Sequence, residues 1–192
     1  MSLVIIKVDR EHNTHSIYSE GIQLYGDSEI MTNNTNKITH IKIGKLDILL
    51  GCTGSSSLGR FIRLRIADKI ASSELANVLY DIDASEDKLV AIFNGLWEDF
   101  CDENELDTSN DSWSECESIM SINGRLFHIE LYSEHRFDVS TLDEDFTAVG
   151  QGDLAAKCML SLGIDVQTIL DTISKYNCQI NNNLKAIENI PY

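Results

Sequence analysis

Three short stretches in the first third of the sequence carry residues that suit a small polar site. Gly26 and Asp27 follow one apolar run, Lys37 precedes the next, and Gly51 opens a glycine-containing turn before a helical pattern. A carboxylate and an ammonium at neighbouring strand ends can pair, which lowers the cost of holding either away from water. Lys37 would then be a fixed positive charge beside any nucleophile, and glycine N–H groups can approach a developing oxyanion without obstruction.

The same residues have plainer interpretations. An Asp and a Lys ten residues apart are usually surface charges or a structural pair, and Gly51 can simply make a strand-to-helix turn. His12 and His15 share a polar turn, where we expect solvated histidines because no third metal ligand is near. Both the catalytic and the structural interpretation therefore remain open at this point.

The surrounding elements follow from hydrophobic periodicity. Alternating or β-branched segments predict strands at residues 3–8, 17–25, 38–43, 46–50, 117–122, 125–132, 136–142, 146–149 and 184–187. Asn123 and Gly124 predict a tight hairpin, since both turn positions need positive φ. Helical spacing predicts four helices, which begin after Ser55, after residues 83–86, at Asp153 and after Asp165. This order suits one α+β domain over residues 1–192, with two stacked sheets and a helical layer on each outer face.

Composition excludes several classes of function. A formal charge of −16 argues against nucleic-acid binding, which needs a basic surface. No apolar run approaches the roughly 18 residues of a membrane span and no signal peptide is visible, so we expect a cytoplasmic protein without membrane contact. The five cysteines form no CxxC and no metal-like cluster, which predicts reduced, mostly buried thiols.

Two cofactor motifs can be set aside. Residues 98–117 hold nine acidic side chains and no Lys or Arg, but Asp102 and Asn104 lead into Leu106 without the glycine of a calcium loop. Residues 150–155 fit G-x-G-x-x-A, yet only about 40 residues follow, too few for the further βαβ unit of a dinucleotide-binding sheet. We therefore predict no cofactor and no metal.

The motifs, taken in order, resemble the proteasome β-subunit and, more closely, its bacterial relative, the peptidase ring that works with an ATP-dependent unfoldase. The segments that carry the resemblance are YGDS at 25–28, NKI at 36–38, LLGCTG at 49–54, FTAVGQG at 146–152 and YNCQIN at 176–181. No single motif is specific, but their order and spacing cover nearly the whole chain. The resemblance implies the four-layer αββα fold of N-terminal-nucleophile hydrolases.

The resemblance also implies a mechanism. The family cleaves peptide bonds with the hydroxyl of its first residue, whose α-amine, with a pKa near 8, is the base. Ser2 would fill that role once Met1 is removed, Lys37 would favour its deprotonation, Asp27 would orient Lys37, and Gly51 would bind the oxyanion. This predicts a threonine-type peptidase in a homo-oligomeric ring or spiral, acting on peptides or unfolded proteins, with an ATP-dependent unfoldase as candidate partner.

Departures from the family pattern support an alternative. Gln151 stands where the family has the serine of a Gly-Ser-Gly turn, and Tyr176 or Asn177 stands where it has an aspartate. A chain that keeps Met1 has no free Ser2 amine and cannot run this chemistry. The second hypothesis is therefore a catalytically silent assembly protein with the same fold.

Overall fold

The structure is a computed structural model that describes residues 2–21, 23–25, 29–32, 36–106, 116–132, 136–177 and 180–192. In chain order its elements are β1 (Leu3–Asp9), β2 (Thr14–Glu20), β3 (Gln23–Tyr25), β4 (Glu29–Thr32), β5 (Ile38–Ile43), β6 (Leu46–Gly54), α1 (Ser56–Ala71), α2 (Leu75–Val78), α3 (Ile82–Glu103), β7 (Cys116–Ile122), β8 (Arg125–Leu131), β9 (Phe137–Leu142), β10 (Phe146–Gly150), α4 (Asp153–Ser161), α5 (Val166–Tyr176) and β11 (Leu184–Pro191).

The strands form two larger antiparallel sheets and a separate hairpin. The four-stranded sheet has the order β10-β1-β2-β11, and the five-stranded sheet has the order β5-β6-β7-β8-β9. The hairpin pairs β3 with β4. Antiparallel pairing throughout, with helices grouped between runs of strands, makes this an α+β protein, as predicted.

Alternation along the strands divides the core into three clusters. In β1, Ile5 faces a cluster shared with α4 and α5, whereas Val4 and Ile6 face a cluster shared with β5, β6 and β7. The largest cluster joins the five-stranded sheet to α1 and α3, with Ile62 and Phe93 fully buried in it. Because neighbouring strand residues point to opposite faces, one strand can serve two clusters.

Several predicted boundaries are confirmed by their capping bonds. Ser55 Oγ accepts the Leu58 N–H at 3.4 Å at the start of α1, and Asp165 Oδ1 accepts the Thr168 N–H at 3.0 Å at the start of α5. Asn123 and Gly124 have φ of 48° and 77°, as the predicted hairpin turn requires.

Other boundaries were predicted wrongly. The strand predicted over 17–25 is two strands, because β2 ends at Glu20 and β3 pairs elsewhere. Helix α3 begins at Ile82 with Asp81 as its cap, upstream of the predicted start. The last strand continues to Pro191, and α2 was not predicted at all. Within the described residues, no helix is long and apolar enough to cross a membrane.

Candidate active site

Three buried polar residues lie at strand ends on the same side of the β1–β2 pair: two directly before strands and one at the end of a strand. Ser2 directly precedes β1, Glu20 is the last residue of β2, and Lys37 directly precedes β5. Their exposed fractions are 6%, 0% and 5%. Antiparallel pairing sets the start of β1 beside the end of β2, which brings residues distant in sequence together.

Lys37 and Glu20 form a buried ion pair. The Lys37 ammonium donates a hydrogen bond to Glu20 Oε1, and the Leu3 N–H donates to the same oxygen at 3.3 Å. One carboxylate therefore holds both the lysine and the peptide N–H that follows Ser2. Each partner compensates the other's loss of hydration, so neither charge can be removed alone without a large cost.

Burial also tunes the protonation of Lys37. Withdrawal from water lowers the pKa of Lys37 below its ordinary value, and attraction to Glu20 offsets only part of that effect. The guanidinium of Arg63, a like charge, lowers the pKa further. Arg63 is anchored nearby because its Nη2 donates to the Asn36 carbonyl oxygen at 2.9 Å. A buried lysine of this kind gives up its proton more readily than a surface lysine.

The structure pairs Lys37 with an acidic residue that the sequence pattern did not single out. Asp27, to which the sequence pattern assigned this place, lies outside the described residues, and Lys37 pairs with Glu20. Glu20 was missed because residues 17–25 were predicted as one strand ending at Tyr25, whereas β2 ends at Glu20. The carboxylate directly before Gly21 was the signal that could have identified the strand end.

The end of β10 holds Ser2 in place. The Gln151 N–H donates to the Ser2 carbonyl oxygen at 2.7 Å, and Gly150 lies opposite Leu3 in the β1–β10 pairing. A Cβ at Gly150 would overlap the Ser2 carbonyl oxygen, and its φ is 90°. Glycine is thus required there both for space and for backbone conformation.

Glu117 of β7 ties this end of β10 to the other sheet. Its Oε2 accepts the Gly150 N–H at 3.0 Å, and its Oε1 lies 2.8 Å from His128 Nε2. The carbonyl oxygen of Glu117 accepts the Thr53 hydroxyl at 3.2 Å. Glu117 was not predicted as a site residue, because no local motif links it to Gly150 on another sheet.

The two positions at which the sequence departs from the family pattern are in contact. Asn177 Nδ2 donates to Gln151 Oε1 at 3.0 Å. Tyr176, the other residue considered for this place, is 88% exposed. The contact beside Ser2 is therefore between two neutral amides, where the resemblance implies a serine and an aspartate.

Gly51 lies inside β6, opposite Ile38 of β5 and Ile119 of β7. A Cβ at Gly51 would overlap Val4 Cγ1 and lie 3.0 Å from Ile17 Cδ1, so its absence lets the two sheets approach closely. This packing role is independent of any role in binding an oxyanion. Gly51 pairs with Ile38, the residue that follows Lys37, so Gly51 and Lys37 lie on neighbouring strands.

Of the two histidines predicted to be solvated, one is exposed and the other is buried. His12 is exposed and its Nδ1 lies 2.8 Å from Asp9 Oδ2, whereas His15 is buried in β2. His15 Nδ1 lies 2.6 Å from Ser121 Oγ, and its Nε2 lies 3.5 Å from Asp47 Oδ1. Because β2 begins at Thr14, the predicted polar turn extends two residues too far, over Thr14 and His15.

The buried cysteines that the structure describes are poor candidates for thiol chemistry. Cys52, Cys101 and Cys116 are buried and unpaired, and burial raises the pKa of each thiol. A raised pKa leaves little thiolate, the reactive form. Among the same described residues, no group of three His, Cys, Asp or Glu side chains could hold a metal ion.

Solved structures with the same arrangement were found by comparison of the coordinates. The crystal structure of eukaryotic HslV from Trypanosoma brucei matches with a TM-score of 0.62 at 15% identity, over 96% of this chain and 98% of that chain. Anbu (ancestral beta-subunit) from Yersinia bercovieri matches with a TM-score of 0.65 at 12% identity, over 98% of this chain and 81% of that chain. The chain has a proteasome-like fold. The resemblance inferred from its motifs is thereby confirmed in three dimensions.

A third match comes from a helical assembly of the Anbu complex from Pseudomonas aeruginosa, with a TM-score of 0.60 at 12% identity, over 98% of this chain and 80% of that chain. Identities this low carry the fold and nothing of the chemistry. No family model matches the sequence, and no curated protein matches it either.

Proposed function

We propose that this chain is a proteasome-like subunit that hydrolyses peptide bonds with Ser2 as an N-terminal nucleophile. The observation that carries the proposal is the buried Lys37–Glu20 pair, whose shared carboxylate oxygen also holds the N–H directly after Ser2. An N-terminal nucleophile needs a cation near its hydroxyl, because the alkoxide that forms must be stabilised away from water.

The reaction would begin once Met1 is removed. The Ser2 hydroxyl passes its proton to the Ser2 α-amine while the oxygen attacks the peptide carbonyl carbon. The C–N bond then breaks, the leaving amine takes the proton from the α-ammonium, and an ester joins the substrate to Ser2. Water, deprotonated by the same amine, hydrolyses the ester and restores the hydroxyl. Lys37 stabilises the developing alkoxide, and Gly51 is the proposed oxyanion donor.

Glu20 orients Lys37 in this proposal. It ends a strand, it is fully buried and it bonds the ammonium directly, which is the arrangement expected for Asp27 from the sequence. Asp27 remains a candidate for the same task. Substituting the two acids separately, as Glu20→Gln and Asp27→Asn, distinguishes them.

The same proposal extends to architecture and assembly. The three core clusters support a four-layer αββα order, since one lies between strands of the two sheets and the others join each sheet to its own helices. By analogy with the proteins it resembles, we place the chain in a homo-oligomeric ring or spiral in the cytoplasm, with unfolded protein as substrate and an ATP-dependent unfoldase as candidate partner.

A catalytically silent assembly protein is the second candidate, and one observation favours it. The Gln151–Asn177 contact carries no charge, whereas the resemblance implies an aspartate close to the terminal amine. A neutral amide pair supports a terminal ammonium less strongly than a carboxylate does. The two candidates share the fold and differ in turnover.

One experiment separates the candidates. Untagged protein is purified, its intact mass shows whether Met1 is absent, and hydrolysis of fluorogenic peptides and of unfolded casein is measured. The peptidase proposal expects Met1-free protein, turnover, and an adduct on Ser2 with an electrophilic peptide probe. A matched Ser2→Ala variant, which keeps the primary α-amine but has no hydroxyl, should be silent. Met1-free protein with neither turnover nor adduct would instead establish the assembly protein.

A further inference from the structure

The position of Ser2 depends on the backbone of Gly150. The N–H of the next residue, Gln151, donates to the Ser2 carbonyl oxygen at 2.7 Å, so the direction of that N–H helps to fix where Ser2 lies. Peptide units are planar, so only the φ and ψ of Gly150 separate this peptide from the preceding one. Glycine is the residue whose backbone rotates most freely, and Gly150 has a φ of 90°. The preceding peptide must therefore be held as well if Gln151 is to point at Ser2.

Glu117 holds that preceding peptide. Its Oε2 accepts the Gly150 N–H at 3.0 Å, so two consecutive N–H groups are bonded, the first to Glu117 and the second to Ser2. A hydrogen bond to a carboxylate is roughly twice as strong as one between neutral groups. The two bonds together fix both backbone dihedrals of Gly150.

Glu117 is itself held from two directions. His128 Nε2 lies 2.8 Å from Glu117 Oε1, which leaves Oε2 for the Gly150 N–H. The Thr53 hydroxyl donates to the Glu117 carbonyl oxygen at 3.2 Å and anchors its backbone. The side chains of Glu117 and His128 are 30% and 27% exposed, so water competes for these bonds less than it would on an open surface. The carboxylate is thus oriented toward β10 before any substrate binds.

We propose that Glu117 is a positioning residue for Ser2 and acts through Gly150. The inference rests on the proposed peptide hydrolysis and adds to it a residue that no motif indicated. It also gives the neutral Gln151–Asn177 contact a counterpart, because β7 brings a carboxylate to this end of β10. A reacting group that is misplaced by about 1 Å can lose about a hundredfold in rate, so loosening Gly150 should lower kcat. KM should change little, because Glu117 holds the protein's own terminus and not the substrate.

Three variants test the proposal by steady-state peptide hydrolysis with Met1-free protein. Glu117→Leu removes the acceptor, and Glu117→Gln keeps an oxygen that can accept the Gly150 N–H. Glu130→Leu is the matched control, since Glu130 lies directly opposite Glu117 in the β7–β8 pairing. We expect Glu117→Leu to lower kcat about 10- to 100-fold with KM within about twofold of wild type. Glu117→Gln should recover most of that loss, and the control should keep the wild-type kcat. The proposal is overturned if Glu117→Leu keeps the wild-type kcat, if the control loses as much, or if Glu117→Gln recovers nothing.

Hydrogen exchange at single amides separates this proposal from peptidase activity. In folded Glu117→Leu the amides of Gly150 and Gln151 should exchange at least about tenfold faster than in wild type, and in Glu130→Leu they should exchange at the wild-type rate. Faster exchange in a protein whose wild type shows no turnover would leave the positioning of Ser2 standing and refute the peptidase. Equal exchange in Glu117→Leu and wild type would overturn the positioning role, whatever the turnover.

A second substitution keeps the test open if Glu117→Leu does not fold. His128→Leu leaves Glu117 in place but removes the partner of its Oε1. Folded His128→Leu, checked by circular dichroism, should show the same faster exchange at Gly150 and Gln151, to a smaller extent. Wild-type exchange at both amides in this variant would then overturn the proposal.

Discussion

Neutralising Glu20 tests whether Lys37 is held as one half of a buried ion pair. In Glu20→Gln the side chain keeps its size, but the Lys37 ammonium loses its counter-charge in a place that water hardly reaches. Breaking a buried pair from one side costs about 3–5 kcal/mol of unfolding free energy, because the remaining charge is uncompensated. For a chain of this length that is a fall in Tm of roughly 6–20 °C.

The loss should depend on pH in a defined direction. The folded-state pKa of Lys37 is lowered, chiefly by burial, from an unfolded value of about 10.4. Between these two values the unfolded chain binds more protons than the folded protein, so stability rises with pH across that window. Loss of Glu20 lowers the folded-state pKa of Lys37 further, so the pH range over which stability rises begins at a lower pH. The deficit of Glu20→Gln should therefore shrink as pH rises toward the ordinary pKa of lysine.

Urea unfolding followed by circular dichroism measures these free energies. The matched control is Glu103→Gln, which breaks the Arg65–Glu103 pair on the surface, where the side chains are 53% and 51% exposed. That pair should contribute less than about 1 kcal/mol. The ion-pair account of Lys37 is refuted if Glu20→Gln changes the unfolding free energy no more than this control does.

Two further predictions concern pH and packing. Burial lowers the pKa of His15 despite its contact with Asp47. The unfolded chain therefore takes up a proton that the folded protein does not, and the free energy of unfolding should fall as pH drops below about 6.5. Urea titrations across this range should show a shallower fall for His15→Asn. Gly150→Ala should lower the unfolding free energy by about 1–2 kcal/mol because of its positive φ, and by roughly a further 1–3 kcal/mol because the new Cβ overlaps Ser2. Gly163→Ala, where φ is 75° and the space is open, should lose only the first amount. Equal Tm losses in the two glycine variants would contradict the overlap.

Local features of the fold were predictable because they depend on neighbouring residues. The Asn123-Gly124 turn requires positive φ at both positions, and Ser55 and Asp165 cap helices with their own side chains. Strand ends were harder to place, since residues 17–25 look like one apolar strand although β2 ends at Glu20. The chain leaves the sheet there because its next strand pairs with β4 instead.

The candidate site was predictable only in part, for a related reason. Lys37 was proposed from a motif and Ser2 from its place after Met1, but Glu20 depends on where a strand ends, and Glu117 depends on which sheets face each other. Contacts between distant strands are set by tertiary packing, and no periodicity in a single sequence records them. The same limit applies to the Gln151–Asn177 contact, whose two residues lie on either side of α4 and α5.

Peptide hydrolysis by Met1-free protein, with and without the Lys37 charge, tests the central claim most directly. Because Lys37→Ala alone leaves Glu20 unpaired, the companion variant Lys37→Met/Glu20→Gln removes both charges and retains the volume of the pair. The account predicts measurable turnover in the wild type and none in either folded variant. Unchanged turnover in the folded double variant would show that the buried lysine does not activate Ser2.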